Sequence, residues 1–139
     1  MINPVLFLLI GVLIIAVVMI LYIAVAKKDN PYLNRDKYQA RWLEIENGLN
    51  RETPTSYHMA VLNADKLLDQ AMRDCRIKGE TMGDRLKSAN SRWKNANNVW
   101  SAHKVRNQLA HEADAKISYD TAMHALAAFK QALKDLGAI

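Results

Sequence analysis

No charged side chain occurs in the first 26 residues; every Lys, Arg, Asp and Glu of the 139-residue chain lies from Lys27 onward. The charge-free run PVLFLLIGVLIIAVVMILYIAVA, residues 4–26, therefore has nothing to hold it in water. Cysteine is almost as scarce. Cys75 stands alone, which excludes a disulfide framework within the chain. Its place among apolar residues at helical spacing reads as a small buried side chain. Runs of alternating β-branched residues are missing after Ala26, so no strand is predicted. There is also no glycine-rich phosphate loop and no nucleophile elbow, which removes support for most small-molecule enzymes.

As a helix, the 23 apolar residues would extend about 34 Å, enough to cross a hydrocarbon core of about 30 Å with some tilt. Tyr22 sits where an aromatic anchor would meet the headgroups. Ala24-Val25-Ala26 has the small-x-small form of a signal-peptide cleavage site. Against cleavage, no Lys or Arg precedes the run, and the run exceeds the usual apolar region of about 7–15 residues. Residues 1–28 are thus expected to be a retained membrane anchor in contact with the lipid bilayer. Lys27, Lys28, Arg35 and Lys37 follow it, and by the positive-inside rule they predict a single-pass protein of the cell membrane. Its N-terminus would lie outside and its C-terminal domain in the cytoplasm.

The rest reads as helices joined by short loops. Residues 29–53 form a linker and a juxtamembrane helix, about 34–47, with Tyr38, Trp42, Leu43 and Ile45 as its apolar positions and Gly48 as its stop. Thr53-Pro54 reads as N-cap and first-turn proline of a helix over about 54–78, ended by Gly79. Thr81, with Asp84 three residues on, predicts a short helix over 82–93. A fourth helix spans about 97–113, and Ser118 caps a last one over 119–136. Met59, Met72, Met82 and Met123 fit core filling. The predicted fold is all-α: one N-terminal transmembrane helix followed by a four- or five-helix antiparallel bundle, its main body at 54–139.

Charge is spread unevenly. Residues 27–72 carry seven basic and seven acidic side chains, whereas residues 73–106 carry nine basic against three acidic. This middle stretch, with Arg92, Lys94 and Lys104 in it, suits RNA phosphates or an anionic leaflet; the plain alternative is a solvated face. It adjoins SAHKVRNQLAHE, residues 101–112, where His103, Asn107 and His111 recur every fourth residue on one helical stripe. Arg106 lies about 60° from His103 round that helix. His103 and His111 are too far apart to share a zinc ion, and no metal or other cofactor is expected. Trp93 and Trp100 are candidates for stacking on bases, with Trp100 favoured as core.

The segment RNQLAH, Arg106 to His111, resembles the arginine–polar–three residues–histidine signature of the HEPN superfamily, and ADKLLDQAM, residues 64–72, is similar to that family's first bundle helix. The resemblance covers about residues 55–139. It implies a helical bundle that forms a homodimer and, in catalytic members, a metal-independent endoribonuclease with a composite site. Carried over, His111 would be the acid/base group, Arg106 would hold the phosphate, and Asn107 would orient either one. His103, Lys104, Arg92 and Lys94 are the expected substrate contacts, and RNA the expected substrate. The other expectation from the sequence is a non-catalytic dimerising module that docks a cytoplasmic protein at the membrane. In that reading Asn107 bonds His111 and the motif is a polar seam.

Overall fold

The computed structural model of the chain describes residues 3–26 and 30–139. Lys27 and Lys28, which carry the expected sidedness, lie outside the described residues, as does the expected boundary at residue 28. Among the described residues there are six α-helices and no strand. They are α1 (Pro4–Ala26), α2 (Arg35–Asn47), α3 (Pro54–Asp74), α4 (Met82–Ser88), α5 (Ala96–His111) and α6 (Tyr119–Asp135), with one 3-10 turn at Asn90–Arg92.

Every large apolar side chain from Val5 to Val25 of α1 is exposed. A helix that is apolar all round and covers none of this surface with protein is suited to lipid. It is long and apolar enough to cross a membrane.

The other helices share one core, and α3 is at its centre. Tyr57, Val61, Ala64, Leu68 and Met72 recur every third or fourth residue on α3 and are all buried. α6 opposes them with Ala122, Ala125, Leu126, Phe129, Ala132 and Leu133. Its alanines take up little space, and Phe129 and Leu133 join Leu68 and Met72 among the fully buried side chains of the core. Burial of each such large side chain favours folding by about 1.5–3 kcal/mol. α2 joins the same body: Tyr38 and Trp42 are buried, Tyr38 donates to Asp74 of α3 at 2.5 Å, and Lys130 of α6 reaches Glu46 at 2.6 Å. Leu43, expected to face inward, is exposed.

These contacts fix the helix directions. The start of α2 meets the end of α3 through Tyr38 and Asp74. The starts of α3 and α6 meet through the edge-on rings of Tyr57 and Tyr119, 5.6 Å apart. The backbone N–H of Lys94, just before α5, donates to Asp135 at the end of α6. So α2 and α5 run one way and α3 and α6 the other. Asn30 lies at the end where α3 and α6 finish, donating to the Leu136 carbonyl and to Cys75 Sγ, both at 3.2 Å. We call this the linker end; α5 finishes at the opposite, distal end.

Local chemistry explains the helix limits. Thr81 and Asp84 form a reciprocal capping box at α4, and Asn34, Asn95 and Ser118 each accept a backbone N–H at the N-caps of α2, α5 and α6. Thr53 takes the N-cap position of α3 without a side-chain bond. α3 stops at Asp74, earlier than its periodicity predicts. Arg76 there adopts φ 57°, and the N–H of Ile77 returns to the Met72 carbonyl at 3.0 Å. This is the left-handed closure that glycine usually supplies. Gly79 serves a different purpose. With φ 154°, a Cβ at this position would lie 2.6 Å from the backbone nitrogen of Arg85. The helix predicted over 82–93 breaks after Ser88 into the 3-10 turn, and Trp93 turns inward with Nε1 donating to the Leu86 carbonyl at 3.0 Å.

Candidate functional site

Asp65 occupies the buried face of α3 between Ala64 and Leu68, and only 2 % of it is exposed. A carboxylate in such a place requires partners, because burial without them costs several kcal/mol. α5 supplies two. His103 Nδ1 lies 2.8 Å from Asp65 Oδ1, and Arg106 Nε lies 3.1 Å from Asp65 Oδ2. The first pairing satisfies both groups when Nδ1 carries the proton. The second is an ion pair alone, since the Nε–H is not aligned for a hydrogen bond.

One turn along α3, Asp69 repeats the arrangement. It accepts from Arg85 Nε at 2.8 Å and from Arg73 Nε at 3.0 Å, while Arg85 Nη1 donates to the Gly79 carbonyl at 2.7 Å. Asp65 and Asp69 are four residues apart and so share a face of α3. Together they draw in Arg73, Arg85 and Arg106, three of the nine basic residues of the middle stretch. The surface there is accordingly less basic than the sequence alone predicts. Arg76, Lys78, Lys87, Arg92, Lys94 and Lys104 remain exposed.

The motif residues divide by depth. His103, expected as a substrate contact, is only 7 % exposed, and the Trp100 ring meets it edge-on at 6.1 Å. It is a buried partner of Asp65, placed inward because residue 103 falls on the side of α5 that faces α3. The Arg106 side chain is 34 % exposed, and its Nη1 donates to Asn107 Oδ1 at 2.9 Å. The guanidinium is thus held through Nε and Nη1, on a side chain that is only partly covered.

His111 is the last residue of α5, because Glu112 leaves helical geometry with ψ 115°. The imidazole is exposed, and no hydrogen bond or ion pair to it occurs among the described residues. Asn107 turns its oxygen to Arg106, not to His111. Lys104 is exposed and lies two turns before His111 on the same stripe. Arg92 and Lys94 are exposed too, but at the linker end. The axis of α5 from Ala96 to His111 measures about 22 Å, so the structure does not bring them to the motif.

Trp93 is buried, which removes it as a stacking surface; Trp100 is half-buried, with Lys87 Nζ 5.9 Å from its ring centre. Two grooves open on the bundle, one of about 740 Å³ between α5 and α6 and one of about 410 Å³ between α2 and α3. None of Arg106, Asn107 and His111 lines either. Among the described residues, no three His, Cys, Asp or Glu side chains converge as a metal site would require.

Asp65 and Asp69 are the site residues that sequence reasoning passed over. The signal was present: a single acid amid the Val61, Ala64, Leu68 and Met72 stripe must find a cation. The chain matches no known protein family, no curated protein and no solved structure.

Proposed function

We propose that this chain is a membrane-tethered, HEPN-type RNA-cleaving domain. Its half-site is made by Arg106 and His111, and a second copy completes it at the cytoplasmic face. The observation that carries this reading is the unequal fixing of the two side chains. Asp65 and Asn107 hold Arg106 while its side chain stays 34 % exposed, and His111 stands exposed and unpartnered at the end of the same helix. A fixed cation suits a phosphate that must be held still, because the cost of ordering the side chain is met in the folded state. A free imidazole suits a group that must give or take a proton.

Cleavage through the ribose 2′-OH needs a base and an acid on opposite sides of the phosphorus. One His111 would remove the 2′-OH proton. The 2′-oxygen would attack the phosphorus and form a cyclic phosphate, and the P–O5′ bond would break. His111 of a second copy would protonate the departing O5′. Arg106 would offset charge developing on the non-bridging oxygens. Lys104, on the His111 stripe, would meet a neighbouring phosphate.

The test is incubation of the full chain in nanodiscs with single-stranded and hairpin RNA in the presence of EDTA. Products ending in 2′,3′-cyclic phosphate, lost in His111→Ala, are expected. No cleavage at any protein concentration, or equal cleavage by His111→Ala, ends the proposal.

A second reading is favoured by the same Asp65. It neutralises Arg106 from within the chain and encloses His103, which is also how a structural polar seam is built. The domain would then be a dimerising adaptor that holds a cytoplasmic protein at the membrane. Unchanged dimerisation together with absent RNA cleavage would select it.

A further inference from the structure

The linker end of the bundle is tied to α1 by a very short chain. Asn30 is fixed to the bundle through Leu136 and Cys75, and Leu33 is buried in the core. Only three residues separate Asn30 from Ala26, the last residue of α1. Whatever path they take, four peptide steps span no more than about 14 Å. If α1 crosses a bilayer, its end emerges in a headgroup layer several ångströms thick, and the linker end of the bundle must lie against that layer.

The side chains at this end fit such a surface. Tyr32 is 56 % exposed, with the Arg76 guanidinium 5.3 Å from its ring centre. Arg92 is exposed and near enough to Cys75 for its charge to act on the thiol. Lys94 sits beside the end of α6. Of the acids here, Asp74 is engaged with Tyr38 and Gln70 and Asp135 with Gln131 and the Lys94 N–H, and the exposed Asp36 in the first turn of α2 is outnumbered by Arg76, Arg92 and Lys94. Arg76 adds a second observation. It holds φ 57°, a conformation that glycine adopts without strain, yet the position carries a long cationic side chain. Exposed cations beside an aromatic ring are the chemistry that anionic lipid headgroups attract.

We infer that the face carrying Tyr32, Arg76 and Arg92 rests on the anionic headgroup surface of the bilayer that α1 crosses, holding the bundle in one orientation. The inference rests on the reading of α1 as a membrane span. It goes beyond the proposed cleavage, because it places α5 with its start at the lipid and His111 about 22 Å along the helix, at the end remote from the lipid-bearing face.

The test is hydrogen–deuterium exchange of the full chain in nanodiscs of phosphatidylcholine alone or with roughly 30 % phosphatidylglycerol. Amides in 74–78 and 90–93 are expected to exchange roughly threefold or more slowly in the anionic discs, with 108–116 unchanged. The Arg76→Gly/Arg92→Ser variant, whose glycine suits the left-handed backbone and keeps the fold, is expected to lose that difference. Equal exchange in both lipids, or protection that survives in the variant, overturns the inference while leaving α1 as an anchor. A chain stripped from membranes by alkaline carbonate overturns the anchor and the inference together.

Discussion

Arg106 of α5 and Asp65 of α3 form an ion pair across the helix interface, with Nε 3.1 Å from Oδ2, and the other carboxylate oxygen of Asp65 meets His103 at 2.8 Å. One buried acid thereby fixes the rotation of α5 about its own axis. That rotation determines which of its side chains face solvent.

Replacing Asp65 by Asn is expected to destabilise the fold by about 3 kcal/mol, because buried His103 and partly covered Arg106 both lose the charge they pair with. Arg106→Ala should cost less, since that side chain is partly exposed and Asp65 keeps His103. Denaturant titration followed by far-ultraviolet circular dichroism measures both. An Asp65→Asn chain as stable as the wild type would show that the carboxylate does not hold the interface.

Gly79→Ala tests a different constraint on the same seam. The added methyl would meet the backbone of Arg85, and φ 154° is a region that alanine avoids. A loss of about 2 kcal/mol or more is expected, with Arg85 drawn off Asp69. A midpoint within error of the wild type would contradict the close approach.

Much of the bundle was readable from the residues. The caps at Thr81 and Ser118, the apolar stripes of α3 and α6, and the charge-free α1 each carry a local signal that acts whatever surrounds it. What was not readable depends on which helix meets which. His103 looks like a surface residue by its spacing with Asn107 and His111; only the presence of Asp65, 38 positions away, makes its burial favourable. Leu43 failed for the opposite reason, because α2 is covered on its Tyr38–Trp42 side alone. Arg76 in a left-handed turn has no sequence signature, as glycine is the residue that announces such turns.

The Glu46 carboxyl is held below its ordinary value chiefly by the Lys130 ammonium, 2.6 Å away, with Trp42 Nε1 adding a hydrogen bond at 2.7 Å. A depressed carboxyl stabilises the fold above its unfolded value and loses that contribution as pH falls through its folded one. Glu46→Gln is therefore expected to be less stable than the wild type at pH 7, by no more than about 1 kcal/mol given the exposure of the pair. The gap should close once acid protonates Glu46. Stability curves from pH 7 to pH 3 that stay parallel would refute the pairing.

Burial pushes the Cys75 thiol above its ordinary value, against the opposing pull of Asn30 and Arg92. A protonated, covered thiol is a poor nucleophile. Alkylation by iodoacetamide at pH 8 is expected to be at least about tenfold slower in the native chain than in denaturant, read by intact mass. Asn30→Ala, which uncovers the sulfur and loosens the link to α1, should speed it. Rapid native labelling would mean that the linker does not dock as described.

The two histidines of the motif are expected to separate stability from chemistry. His103→Ala leaves Asp65 Oδ1 without its buried partner, and a loss of about 2 kcal/mol should follow with no direct effect on a substrate that cannot reach it. His111→Ala removes an exposed side chain at a helix terminus, so stability should move by less than about 0.5 kcal/mol. If Arg106 and His111 form an RNA-cleaving half-site, that same silent substitution abolishes cyclic-phosphate product. In mixtures of wild-type and inactive His111→Ala chains, activity would then fall with the square of the wild-type fraction, because each dimeric site needs His111 from both copies. Thermal melts paired with RNA gels on the four samples decide the matter: activity that tracks stability across them assigns the motif to folding, and activity that follows His111 irrespective of stability assigns it to chemistry.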